Sequence, residues 1–135
     1  MAEKKSVLFL CTGNSARSQM AEGLMRHLRG DEFEVYSAGI DPKGVHPVAI
    51  QVMAEIGIDL AGHRSKHVDG LSGKAFDYTI TLCGHAAETC PVFPGSGKRM
   101  HRGFTDPAAA DEQQQAETFR KVRDEIKEFV LSFSA

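Results

Sequence analysis

No apolar run in this 135-residue chain is long enough to span a bilayer, which excludes a protein held in the membrane by a helix. Met1 to Ser6 carry two lysines but no apolar segment or small-residue cleavage site, so no secretory signal is read and a cytoplasmic location is expected. The formal net charge is -2 and no basic cluster exceeds Lys98 to Arg102, so the electrostatic footprint of a nucleic-acid binder is missing. There is no internal repeat and no low-complexity tract; the stretch from Ala108 to Gln115 reads as a solvated approach to the last helix. Cysteine is scarce. Three cysteines, an odd number in a chain expected to be cytosolic, exclude a structural disulfide framework and leave nucleophilic or redox chemistry as their better use. His85 between Cys83 and Cys90 has neither zinc spacing nor a fourth ligand, so no metal site is expected. The other histidines, His27, His46, His63, His67 and His101, read as solvated or loop residues. Gly95-Ser96-Gly97-Lys98 lacks the earlier glycine and the following Ser/Thr of a nucleotide-binding loop and reads as a surface turn.

What is present is an ordinary globular composition, 41% hydrophobic and 25% charged, in a length that suits one domain over residues 1–135 with one core. Val7-Leu8-Phe9-Leu10 is an unbroken apolar run of the kind that forms a strand covered on both faces. Met20, Ala21, Leu24, Met25 and Leu28 then recur at helical spacing, with Gly30 as a stop. Glu34 to Ala38 reads as a second strand. Val48, Ala49, Val52, Met53 and Ile56 form a helical stripe after Pro47. Val68 and Leu71 pin a short turn or helix, Tyr78 to Leu82 is a third strand, and Met100 to Phe104 is a fourth, lying at an edge. Phe119, Val122, Ile126, Phe129, Val130 and Phe133 line one face of a final helix. Strands alternating with helices predict an α/β fold, an open twisted four-stranded parallel sheet with helices on both faces and a site at the carboxyl ends of the strands.

Cys11-Thr12-Gly13-Asn14-Ser15-Ala16-Arg17-Ser18 falls between the first strand and the first helix. Its backbone N–H groups and the positive end of the helix would converge on one point, where an anion binds. Gly13 and Asn14 tolerate the left-handed backbone that such a loop needs. Cys11 is then a nucleophile beneath a bound tetrahedral oxyanion, Arg17 grips two of its oxygens, and Ser18 donates a hydrogen bond to the sulfur. Thr12, Gly13, Asn14, Ser15, Ala16 and Arg17 form the oxyanion cradle. The plainer reading makes Cys11 a buried hydrophobe and Arg17 a surface helix residue.

Cys83 ends the third apolar run as Cys11 ends the first, and in doubly wound order those two strands are neighbours, so both sulfurs can share one rim. A helical segment from Cys83 to Cys90 would hold their α-carbons about 10 Å apart at roughly 1.5 Å per residue, so a bond between them requires unwinding. Inert packing residues are the rival reading of both. Asp106-Pro107 reads either as a turn or as a general acid that protonates a departing oxygen.

C-x5-R-S after a first strand resembles the low-molecular-weight protein tyrosine phosphatase fold. C-T-G-N-S-x-R-S-Q-M-A-E-G with a later Y-S-A-G resembles its arsenate reductase branch, and T-L-C-x6-C-P at Thr81 to Pro91, G-F-x-D-P at Gly103 to Pro107 and R-x-x-R-D-E-I at Arg120 to Ile126 extend the likeness over nearly the whole chain. The resemblance implies a relay through Cys11, Cys83 and Cys90 that reduces arsenate to arsenite and is itself reduced by a dithiol such as thioredoxin, with Asp106 as the acid, no bound cofactor and a monomeric chain. It also implies potassium near the loop, through positions matching Asn14, Glu22, Ser37 and an aspartate after H-x-S. Here Lys66 stands in place of that aspartate, so no potassium requirement is expected. The alternatives are a phosphatase working through a phosphocysteine at Cys11, disfavoured because Ala108, Ala109 and Ala110 replace ring-holding aromatics, and a non-catalytic oxyanion or redox sensor.

Overall fold

The computed structural model describes residues 4–71, 73–84 and 97–134. Four strands, β1 (Lys5–Cys11), β2 (Phe33–Gly39), β3 (Tyr78–Thr81) and β4 (Lys98–His101), form one sheet, all neighbours parallel, in the order β2-β1-β3-β4. The helices are α1 (Arg17–Arg29), α2 (Pro47–Ala54) and α3 (Gln115–Ser132), with single 3-10 turns at Val68–Leu71 and Pro107–Ala109. β4 begins two residues earlier than its apolar residues suggest and ends at His101, because an exposed edge strand needs only backbone pairing.

β1 is the central strand, and Val7 to Leu10 are wholly buried as its apolar run predicts. Side chains alternate across the sheet. Val7, Phe9 and Cys11 join the larger core with Met20, Leu24, Met53, Phe119 and Ile126 from the three helices. Leu8 and Leu10 point to the opposite face, where Ala38, Val68 and Phe76 cover them. The period of two therefore decides which way Cys11 faces: toward α1. Arg123 ties α3 to the end of α2 by donating to the Val52 carbonyl (2.8 Å) and Glu55 (3.0 Å), while Arg29 closes the far end of α3 through the Val130 and Phe133 carbonyls.

Pairing register fixes where the site lies. Cys11 stands opposite Gly39, and Leu10 stands opposite Thr81, so Cys83 follows the neighbouring strand on the same rim.

Candidate active site

The loop from Thr12 to Ala16 is pulled outward by its carbonyls. Those of Cys11, Thr12, Gly13 and Ser15 accept from the amides of Ile40 (3.3 Å), Asp41 (2.8 Å), Lys43 (2.9 Å) and His46 (3.0 Å). The amides of Gly13 to Ala16 have no protein acceptor among the described residues, which leaves that side of the loop as a cluster of N–H donors. Of the two loop residues read as tolerating left-handed backbone, Asn14 adopts it (φ 45°) and Gly13 does not. Gly13 is small for another reason: a Cβ there would stand 3.2 Å from Cγ of Lys43. Gly39 is required by close approach, since its Cβ would fall 2.7 Å from the Asn14 amide nitrogen.

Left-handed backbone in a non-glycine residue costs about 1–3 kcal/mol and persists only where its surroundings enforce it. Here they do. Asn14 is fully buried; its Nδ2 donates to Ser18 (2.7 Å) and Ser37 (3.0 Å), and its Oδ1 accepts from the Lys66 amide (2.8 Å) and Gln19 (3.1 Å). Its own carbonyl accepts from Ser65 (2.6 Å) and Gln19 (3.2 Å).

This network orients the sulfur's neighbour. Ser18 Oγ lies 2.9 Å from Cys11 Sγ while it accepts from Asn14 Nδ2, which holds the hydroxyl where it can donate to a Cys11 thiolate. Cys11 is 2% exposed and lines a cavity of about 360 Å³ together with Thr12, Gly13, Ser15, Ala16 and Arg17. Asp106 and Ala108 close one side of it. Arg17 donates from Nη1 to the Phe104 carbonyl (3.2 Å) and holds Nη2 3.8 Å from Asp106 Oδ2. Asp106 makes the turn, its Oδ1 accepting from the Ala108 amide (3.0 Å), and its other oxygen lies beside the guanidinium of Arg17. Thr12 Oγ1 lies 3.2 Å from Cys83 Sγ, so the second cysteine does reach the rim of the loop. Cys90, with residues 85–89 before it, falls outside the described residues, as do Gly95 and Ser96.

Two histidines read as plain loop residues are built into the site. His46 accepts the Val48 amide on Nδ1 (3.1 Å), capping α2, donates its own amide to Ser15, and stacks on Phe119 with ring centroids 4.8 Å apart. His63 Nδ1 bonds Gln19 Oε1 (2.9 Å) and lies 3.5 Å from Glu22; burial pushes its imidazole below the ordinary value, with Arg26 and Lys66 adding to the effect against the pull of Glu22. Only the pairing of His46 with Pro47 at a helix start carried a sequence signal; the partners of His63 are too distant in sequence to leave one. Glu22, 4% exposed, faces Arg26 (2.7 Å), Ser37 and the Lys66 ammonium (3.8 Å). Among the described residues no three His, Cys, Asp or Glu side chains cluster as metal ligands.

A strand, a thiol-bearing loop rich in N–H donors, a helix and an arginine, placed at the carboxyl edge of a parallel sheet, is the architecture of the α/β proteins that take a tetrahedral oxyanion onto cysteine. Residues 6–135 match the family described as low molecular weight phosphotyrosine protein phosphatase, and the chain belongs to that family. It is 48% identical to an arsenate reductase of Halalkalibacterium halodurans over 133 residues, covering 97% of this chain and 96% of the relative. Among solved structures it resembles an arsenate reductase in the phosphate-binding state, at 36% identity and a TM-score of 0.82 over 94% of each chain. It also resembles a thioredoxin-dependent arsenate reductase of Corynebacterium glutamicum, at 30% identity and a TM-score of 0.69, covering 97% of this chain and 62% of that one.

Proposed function

We propose that the protein reduces arsenate to arsenite, with Cys11, Cys83 and Cys90 as the relay and thioredoxin as the electron source. The observation that carries this reading is the 3.2 Å contact between Thr12 and Cys83, which brings a second sulfur to a loop that a phosphatase would use with one. The near-full-length identity to arsenate reductases supports it.

The chemistry runs from the loop outward. Arsenate sits among the N–H groups of Thr12 to Ala16, with Arg17 turned onto its oxygens. The Cys11 thiolate attacks arsenic, and an oxygen leaves as water with a proton from Asp106. Cys83 thiolate then attacks Cys11 sulfur; the sulfur–arsenic bond breaks, its electron pair stays on arsenic, and As(V) leaves as As(III) while a Cys11–Cys83 disulfide forms. Cys90 attacks Cys83, releasing Cys11 as thiolate, and the dithiol of thioredoxin reduces the Cys83–Cys90 disulfide. Ser18 stabilises Cys11 as both attacking and leaving thiolate. No step needs a bound cofactor. Nor does the Glu22 pocket call for potassium, because Arg26 and Lys66 already set two cations against one carboxylate. We place the protein in the cytoplasm, where a dithiol reductant is at hand, as a monomeric domain over residues 1–135; among the described residues no helix is long and apolar enough to cross a membrane.

Phosphatase action is a side reaction of the same cradle. The cavity is larger than a bare oxyanion needs and carries an apolar wall of Val45, Pro47 and Ala108, which admits a small aryl ester without gripping its ring.

The test is NADPH oxidation with thioredoxin and thioredoxin reductase, with and without arsenate, beside Cys90→Ser. Arsenate-dependent turnover that the variant loses is expected. Efficient aryl phosphate hydrolysis without arsenate turnover would make the protein a phosphatase, and one oxidation event without continuing turnover would make it a sensor.

A further inference from the structure

The relay accounts for the floor of the cavity but leaves its mouth unexplained. Lys43 lies there, on the segment between β2 and α2, and three observations set it apart from a casual surface lysine. Its amide is bonded to the Gly13 carbonyl (2.9 Å), so its backbone is anchored to the oxyanion loop. Its stem crosses the loop at Gly13, where a Cβ would meet Cγ at 3.2 Å, so the absence of a side chain at Gly13 gives the lysine its path over the loop. It lines the same cavity as Cys11, Arg17 and Asp106.

The ammonium ends on Asp41 Oδ2 at 2.9 Å, with both side chains well exposed (64% and 68%). An exposed pair of this kind contributes little to stability, because water solvates both charges nearly as well apart as together. It is an exchangeable pair. The ammonium holds the Asp41 carboxyl below its usual range, so at neutral pH the partner is anionic, and a doubly charged oxyanion arriving at the mouth can compete with it. Arg17 supplies the positive charge inside the cavity, and Lys43, once released from Asp41, adds a second one at its mouth.

We propose that Lys43 is a specificity-determining residue at the site entrance, recruiting multiply charged tetrahedral oxyanions by exchanging Asp41 for the substrate; the inference rests on the arsenate reading above. Recruitment at a rim raises association and weakens with salt, and it leaves the chemical step to the loop beneath. The two partners therefore have opposite effects. Removing the lysine charge weakens anion binding, whereas removing the aspartate charge frees the lysine and strengthens it. A pair that merely braced the loop would make both substitutions weaken binding.

The deciding measurement is the phosphate concentration that halves alkylation of Cys11 by iodoacetamide, followed by mass spectrometry of the Cys11 peptide in the parent, Lys43→Gln, Lys43→Arg and Asp41→Asn. At low salt the value should rise about fivefold in Lys43→Gln, stay near the parent in Lys43→Arg and fall about twofold in Asp41→Asn, with all differences shrinking at 0.5 M salt. No change in Lys43→Gln, a change that salt does not diminish, or a shift of the same sign in Lys43→Gln and Asp41→Asn overturns the proposal. In arsenate turnover the same variants should move KM in parallel and kcat by less than twofold. A parent that shows this protection pattern without reducing arsenate would refute the arsenate reading and leave the role of Lys43 standing.

Discussion

Cys11 and Cys83 end adjacent strands of one sheet, and the ground beneath them differs. Cys11 follows a seven-residue central strand, is 2% exposed, and has its neighbour Ser18 oriented by Asn14, which is itself held from four directions. Cys83 follows a strand of four residues, is half-buried, and lies beside a four-residue edge strand that is exposed throughout. The contrast follows the chemistry proposed for each. Attack on a bound oxyanion gains from groups fixed before the substrate arrives, since they then cost no reorganisation in the transition state. Thiol exchange requires a sulfur to approach one partner and then another, which a rigid setting would forbid.

The sharpest way to break this comparison is to remove each sulfur. Cys11→Ser should lower both arsenate reduction and aryl phosphate hydrolysis by at least about a thousandfold, because the nucleophile serves both. Cys83→Ser should abolish continuing arsenate reduction yet change aryl phosphate hydrolysis only a few-fold; loss of both activities would mean that the two regions are one unit. Next comes the mould of the loop. Gly39→Ala drives a methyl into the Asn14 amide and should cost about 1–3 kcal/mol in urea unfolding together with a drop in kcat, whereas Gly62→Ala, whose added methyl meets nothing within 4 Å among the described residues, should leave stability nearly unchanged.

Smaller effects sharpen the contrast. Ser18→Ala should slow steady-state turnover about tenfold, the equivalent of about 1.4 kcal/mol for one hydrogen bond to a charged sulfur. Thr12→Val should slow arsenite release in a single turnover about threefold and leave aryl phosphate hydrolysis near the parent, because its hydroxyl faces Cys83. The smallest effect concerns pH. The folded state favours neutral His63, so between its lowered value and the ordinary value near 6.5 the unfolded chain binds more protons. Stability should be full above about 6.5 and fall as pH drops below it, and His63→Asn should flatten that part of a thermal-melt series.

The cradle was legible because its information is local. A buried run, a cysteine, small loop residues and a helical stripe are contiguous, and the structure keeps their order. Strand order was legible too, since alternation of strands and helices restricts the topologies. What escaped was assembled across distance. Gln19 reads as an ordinary helix residue, yet it bonds Asn14, the Arg64 carbonyl and His63, the last 44 positions away. Gly13 and Asn14 were both legible as residues that tolerate left-handed backbone, but sequence does not show which of them the chain bends, and it is Asn14. Lys43 drew no notice for the same reason: its contact is with a glycine, which has no side chain to advertise it.

The loop is moulded by amides from residues 40–46, by Ser65 and Lys66, by Cys83 and by the Phe104 carbonyl, although it lies near the start of the chain. During synthesis, then, Cys11 leaves the ribosome early and waits as a common cysteine until residue 104 has been made. Contacts this distant in sequence form late in folding. The nascent chain thus carries no primed thiol through the crowded interval in which stray oxidants or partners could trap it, and reactivity toward an alkylating probe becomes a clock that reads the completion of the fold.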